Sequence, residues 1–316
     1  MNDNAVRRRV SEQFDKRRIA DEEAYTARLA ELSASVPGFA ELTEALKATG
    51  LKLYHCAIKG GDLDEVRRET EALRAKRRDL LVAAGFPADY ADRKYRCEKC
   101  SDSGFVGLDM CSCLRKELTM AALDESGLGK LVRRQSFDNF SLDYYDGRDK
   151  AIMKANVARI RAFADGFTAD TRENLLLIGG TGLGKTHLCS AVTRVVIEKG
   201  FDVVYRSAGE FFAVFNRQRF GDGKEGDGTE RDLFDGDLLI IDDLGTEVTT
   251  QYTVSWLYDV INSRLNAEKP TIVSTNLTED ALRSRYDDRI TSRIFGNYVP
   301  LYFLGSDVRA KKTAEK

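Results

Sequence analysis

The apolar positions change rhythm along the chain. In the first ninety or so residues the spacing is helical: Val6, Val10 and Phe14 fall at i, i+4 and i+8, Phe39, Leu42 and Leu46 form a second set, and Leu63, Val66, Thr70, Leu73 and Leu80 a third. Asp62 stands before the third set with Glu65 three positions on, a helix-start signal, and Pro37-Gly38 and Gly60-Gly61 separate the segments. A helical bundle is predicted, either purely structural or also a docking domain for a partner. From about residue 150 short apolar runs alternate with helical stretches. Strands are predicted over residues 174–178, 202–205, 238–241, 271–274 and 299–304, with helices over 185–198 and 251–265. Strands spaced by helices imply an α/β fold whose parallel sheet is covered on both faces. Residues 221–228 interrupt this rhythm with four glycines and no apolar side chain, and are expected to form a flexible surface loop.

Composition narrows the class. In 316 residues, 42% hydrophobic and 32% charged side chains suffice for a sizeable core and a charged surface. Lys and Arg (49) nearly cancel Asp and Glu (51), so any nucleic-acid surface must be local. The N-terminus lacks the apolar core of a signal peptide, and runs such as 175–178 and 238–241 are too short to span a bilayer. A cytoplasmic protein with no membrane partner is expected.

Candidate chemistry begins at Gly179-Gly180-Thr181-Gly182-Leu183-Gly184-Lys185-Thr186, which matches G-x-x-x-x-G-K-[ST] between a predicted strand and a predicted helix. The glycines let backbone N–H groups wrap an anion, and the helix turns its positive end to the phosphates. Lys185 would reach the β and γ phosphates of ATP, and the Thr186 hydroxyl would ligate Mg2+. The strand at 238–241 runs into Asp242 and Asp243. Asp242 suits the magnesium shell, and Asp243 suits orienting or deprotonating the attacking water. Asn276, at the end of the strand at 271–274, can sense the γ-phosphate or simply cap a turn. Arg289 and Arg293 share a helical face, either as a solvated basic surface or as an arginine finger for a neighbouring subunit's ATP.

Four of the six cysteines crowd together as Cys97-x2-Cys100 and Cys111-x-Cys113. Four thiolates from two knuckles suit a closed tetrahedral Zn2+ site, although the second pair is one residue short of the usual spacing. Thiols without metal, a redox pair or an iron–sulfur cluster are the alternatives. Cys189 reads as a core residue, and His187 as a helix-surface or packing residue.

The ordered set 179–186, 237–245, 274–277 and 289–296 resembles AAA+ ATPases. With Leu238-Leu239-Ile240-Ile241-Asp242-Asp243-Leu244-Gly245, Phe137-Asp138-Asn139-Phe140 and Cys97-Glu98-Lys99-Cys100-Ser101-Asp102-Ser103-Gly104, it is similar to the bacterial replicative helicase loaders (DnaC and DnaI) and the IstB-type transposon helper ATPases. The similarity covers about residues 95 to 310. It implies a helical partner-docking domain over 1–94, a zinc-binding module over 95–114, a linker and entry to the core over 115–149, and an AAA+ ATPase domain over 150–316. It further implies a loader that uses ATP to deliver a hexameric replicative DNA helicase onto single-stranded DNA and release it. Carried over by position, Lys185 and Thr186 are the Walker A contacts, Asp242 and Asp243 the Walker B pair, Asn276 the first sensor, Arg293 the finger of a homo-oligomer, and Arg309 the second sensor. An Asp at 243, where Glu is common, implies slow, switch-like hydrolysis. Within an insertion between the second and third strands, Arg217, Arg219 and Phe220 are the DNA candidates, while Phe211 and Phe215 suit the core. An IstB-like transposition helper is the alternative, and a P-loop small-molecule kinase a more distant one.

Overall fold

The computed structural model describes residues 3–220 and 229–314, so the glycine-rich segment 221–228 lies outside the described residues. The chain forms two compact units, Glu12–Ser103 and the combination of Met1–Ser11 with Gly104–Lys316.

The Glu12–Ser103 unit is helical, built from most of α1 (Asp3–Ser35), α2 (Phe39–Lys59) and α3 (Leu63–Ala83). Asp62 caps α3 by accepting from the Asp64 and Glu65 N–H groups at 2.9 and 3.0 Å, the start its sequence signals. Leu32, Val36, Phe39, Leu81 and Ala91 make a small core. One face of α2 leaves Leu51, Tyr54 and Ile58 between 63% and 65% exposed.

In the other unit, the hairpin of β1 (Phe105–Val106) and β2 (Asp109–Met110) is followed by α4 (Ser112–Glu125), α5 (Gly129–Arg134) and α6 (Gly147–Asp165). The stretch 115–149, which reads as a linker in the sequence, is therefore largely helical. Its buried apolar residues, Leu123, Val132, Phe137 and Tyr145, are too sparse among charged neighbours to show a period.

Five strands then form one parallel sheet: β3 (Asn174–Ile178), β4 (Val203–Ser207), β5 (Leu238–Leu244), β6 (Thr271–Thr275) and β7 (Tyr298–Tyr302), in the order β4-β5-β6-β3-β7. Between them run α7 (Lys185–Glu198), α8 (Ala208–Phe220), α9 (Thr229–Asp235), α10 (Gln251–Asn266), α11 (Glu279–Arg285) and α12 (Asp288–Asn297), with α13 (Val308–Ala314) after the last strand. Alternate residues feed opposite faces. Leu175 and Leu177 join Met153, Ile160, Leu188 and Val192 on one side, while Leu176 and Ile178 join Phe211, Phe215, Leu257 and Ile290 on the other. Burial on both faces is why these strands read as unbroken apolar runs. Phe211 and Phe215 are core residues, and Phe215 stacks on Trp256 with ring centroids 4.1 Å apart. Cys189 is likewise 1% exposed, and burial pushes its thiol pKa well up.

Candidate nucleotide site

β3 leads directly into the glycine loop, and α7 begins at Lys185 with Gly184 as its N-cap. Gly184 has φ 89°, and a Cβ there would lie 2.6 Å from the Phe140 ring, so both conformation and space demand glycine. Gly179 is similarly pressed on the Phe303 carbonyl. The loop borders a cavity of about 290 Å³ whose lining includes Thr181, Gly182, Leu183, Gly184, Lys185, Thr186, Asp243 and Arg309. Arg309 reaches it because the Val308 N–H donates to Gly182 O at 3.1 Å, tying α13 to the loop.

Lys185 is 4% exposed, and its Nζ donates to the Gly179 and Gly180 carbonyls at 2.6 and 2.7 Å. Burial pushes its pKa down, while Asp243 and Asp242 pull it back up. The ammonium is thus held at the loop by carbonyls and acids together.

The strand order sets β6 between β3 and β5, so Asp242 and Asp243 arrive beside the glycine loop at the same sheet edge. Both Asp242 oxygens are engaged: the Tyr205 hydroxyl donates to Oδ2 at 2.9 Å, and the Ser274 hydroxyl donates to Oδ1. Ser274 Oγ also accepts from the Asp243 N–H at 2.9 Å, so one hydroxyl on β6 orients both acids. Burial holds the Tyr205 phenol pKa well above its ordinary value, which keeps it a donor. Asp243 sits at φ 57°, where the β5–β6 register shifts. Partial desolvation and the Asp242 charge raise its carboxyl pKa, against Lys185 and Arg309.

The remaining expected residues are placed differently. Asn276 follows β6 directly and is exposed, and neither it nor Arg293 is among the described residues that line the cavity. Arg293, on α12, donates to Asn262 Oδ1 at 2.8 Å and to the Tyr258 hydroxyl at 3.0 Å, both on α10. The side chains of Arg217, Arg219 and Phe220 lie outside the described part of the structure.

The rest of the cavity wall comes from the segment read as a linker: Gln135, Asn139, Phe140, Ser141, Tyr144 and Tyr145. The Tyr145 hydroxyl donates to Leu183 O at 2.9 Å, and His187 packs edge-on to Phe140 with ring centroids 5.2 Å apart. His187 is thus a packing residue beside the cavity. The signal for this wall was the aromatic cluster Phe137, Phe140, Tyr144 and Tyr145, but nothing in its spacing pointed to the glycine loop.

The cysteine segment is organised locally. The sulfurs of Cys97, Cys100, Cys111 and Cys113 all lie within 4.8 Å of one another. Tetrahedral Zn2+ with bonds of about 2.3 Å sets its sulfurs roughly 3.8 Å apart, so these residues fit such an ion. The Asp102 carboxylate accepts from the Arg96 and Cys97 N–H groups at 2.9 and 2.8 Å, holding the first knuckle. Among the described residues, no helix is long and apolar enough to cross a membrane.

A parallel sheet with a strand inserted between the glycine-loop strand and the acidic strand, both opening on one cavity, defines an AAA+ type of P-loop protein. The chain belongs to the family of IstB-like ATP binding proteins, whose model matches residues 114–295. It is 29% identical over 249 residues to the phage-like element PBSX protein XkdC of Bacillus subtilis (strain 168), covering 74% of this chain and 87% of that protein. It is 22% identical over 194 residues to the replicative helicase loader DnaC of Escherichia coli (strain K12), covering 61% of this chain and 76% of that protein. Among solved structures, a DnaC helicase loader matches 55% of this chain and 99% of its own length, at 22% identity and a TM-score of 0.48.

Proposed function

We propose that this chain is an ATP-controlled loader of a hexameric replicative DNA helicase. The observation that carries the reading is the pairing of glycine loop and Asp243 at one cavity, in a chain similar over 61% of its length to the loader DnaC. In this reading Gly179–Thr186 cradle the ATP phosphates, Lys185 neutralises the β and γ phosphates, and Thr186 and Asp242 hold Mg2+. With both its oxygens already accepting hydrogen bonds, Asp242 would act on the ion through the water shell. Asp243 would orient the attacking water, Asn276 would sense the γ-phosphate, and Arg309 would sense the bound nucleotide. Hydrolysis is slow because the shorter Asp243 arm stands where a glutamate is common. Residues 1–94 form the docking domain, and the apolar row Leu51, Tyr54 and Ile58 supplies surface for a protein partner. Residues 95–114 form the zinc module, 115–149 the entry to the core and 150–316 the ATPase domain, with single-stranded DNA bound through the α8 region.

A pull-down with the replicative helicase, with and without ATP, tests the loader reading. A complex is expected, and its absence under both conditions would sink the idea. The family match itself favours a second reading, an IstB-like transposition helper. That reading gains if the chain binds a transposase and duplex DNA instead.

Three further outcomes are expected. Tyr205→Phe removes one of the two donors that orient Asp242, so half-maximal hydrolysis should require about tenfold more Mg2+ with ATP affinity little changed; an unaltered Mg2+ titration contradicts this role for Tyr205. Arg293→Ala should retain ATP binding yet lose hydrolysis by on the order of a hundredfold or more, as for a finger acting on a neighbouring subunit. Unchanged turnover moves the assignment to Arg289. Metal analysis of the purified chain should give one Zn2+ per chain, and Cys100→Ser should release it; zinc retained at full occupancy by that variant excludes a four-cysteine site.

A further inference from the structure

One buried carboxylate beside the acidic strand has no part in holding phosphate, magnesium or the attacking water. Glu247 lies four residues past Asp243, and its side chain is 4% exposed. Its Oε2 accepts from the Gly245 N–H at 2.8 Å, and its Oε1 accepts from the hydroxyl of Tyr286, just past α11. Arg285, the last residue of α11, brings Nε within 3.6 Å of the same Oε1 and donates through Nη2 to Glu247 O. Burial and the bond to Glu247 hold the Tyr286 phenol pKa well above its ordinary value, which keeps it a donor. With both oxygens engaged, the carboxylate joins the turn after β5 to the end of α11.

That turn carries the backbone of Asp243. At φ 57° this residue holds a conformation that a non-glycine side chain keeps only where its surroundings fix it. Its N–H donates to the Ser274 hydroxyl at 2.9 Å, and its carbonyl accepts from the Thr246 hydroxyl at 2.9 Å. Gly245 and Glu247 flank Thr246, so the bond between them closes the turn around it. Gly245, at φ 106°, also presses on Leu277, where a Cβ would lie 2.5 Å from Cδ1, next to Asn276. The Thr275 hydroxyl donates to Leu244 O at 2.6 Å and accepts from the Leu277 N–H at 3.1 Å. Asp243 and Asn276 therefore stand on one connected piece of backbone, and Glu247 anchors it to α11.

We infer that Glu247 is a positioning residue for ATP hydrolysis, aiming Asp243 at the attacking water by clamping the turn after β5 to α11. The inference rests on the nucleotide reading of the glycine loop and on the part that reading gives Asp243. Glu247 is not among the described residues that line the cavity, so it acts through Asp243 and not on the nucleotide. The groups that bind phosphate, the glycine loop and Lys185, sit between β3 and α7 and outside the clamped turn. A loosened turn therefore costs turnover and spares binding.

The test measures kcat with radiolabelled ATP and ATP affinity separately, on the full-length protein. Glu247→Ala is expected to lower kcat about tenfold while ATP affinity changes less than about twofold, the pattern of a misaimed group. Glu247→Gln should keep kcat within about threefold of the unaltered protein, because its amide oxygen still accepts the Gly245 N–H and its NH2 can donate to the Tyr286 oxygen. Tyr286→Phe removes only the hydroxyl and should lower kcat about threefold, which gives a reading if thermal melting shows the alanine variant unfolded. A kcat unchanged in each variant that folds, or falling in step with ATP affinity, overturns the inference and leaves the clamp a stabilising contact. A glutamine variant as impaired as the alanine one also overturns it. If the unaltered protein does not turn ATP over, or its turnover survives Lys185→Ala or Asp243→Ala, the reading of the site falls and this inference falls with it. Turnover that needs Lys185 and Asp243 but ignores Glu247 overturns only the role of Glu247.

Discussion

Lys185→Ala is expected to lower ATP affinity about a hundredfold, close to abolishing binding at ordinary nucleotide concentrations. The side chain is 4% exposed and donates to two loop carbonyls, so its ammonium is already held at the glycine loop before any phosphate arrives. Hydrogen bonds to charged groups each contribute about 1.5–3 kcal/mol, and the upper end of that range corresponds to roughly a hundredfold in affinity. Alanine also removes a positive charge that offsets Asp242 and Asp243, which adds repulsion toward the phosphates. Isothermal titration with ATP-Mg2+ gives the measurement. Affinity within a few-fold of the unaltered protein would remove the glycine loop from the functional argument. The melting temperature without nucleotide serves as the control that the variant folds.

The second large effect concerns stability. Arg264, in the last turn of α10, is 1% exposed. Its guanidinium donates to the carbonyls of Leu233, Phe234, Gly236 and Pro270 and to the Thr271 hydroxyl, at 2.8 to 3.2 Å. These groups belong to the end of α9, the turn into β5 and the entry to β6, so one side chain ties together the starts of two central strands. Burial pushes its pKa down to about 10, which still leaves it charged at neutral pH. Arg264→Ala would strand several buried carbonyls and open a cavity, at an expected cost of about 3–5 kcal/mol. For a unit of this size that is a fall of roughly 10 °C in melting temperature. Arg264→Lys should recover only part of the loss, because a single ammonium cannot span the same set of acceptors. Urea unfolding that shows less than about 1 kcal/mol for the alanine variant would contradict this account.

How far the fold could be read from sequence depended on where each segment is buried. β3, β5 and β6 are covered on both faces, so each is a short apolar run bounded by turn residues, and the predicted and observed limits differ by at most a few positions. α7 and α10 carry ordinary start and stop signals and also lie where expected. The stretch 115–149 was not legible, because α4 and α5 bury only a few residues each and lie among many charged ones. Arg264 was equally hidden: a basic residue in the last turn of a helix normally faces solvent beside the helix dipole. The same holds for Tyr205 and Ser274, which read as ordinary strand residues until β4 and β6 are set on either side of β5.

By itself the sequence determined the glycine loop between a strand and a helix, the acids at the end of a buried strand, the clustered cysteines and the parallel α/β class. These are local patterns, set by backbone conformation and by period along the chain. Only the tertiary structure decided what meets them. It set β6 between the glycine-loop strand and the acidic strand, directed Tyr205 and Ser274 onto Asp242, brought the segment from Gln135 to Tyr145 against the loop, and kept Arg293 on the surface of α10. Such contacts join residues from about thirty to nearly a hundred positions apart, where strand order and helix packing rather than local spacing determine the neighbours.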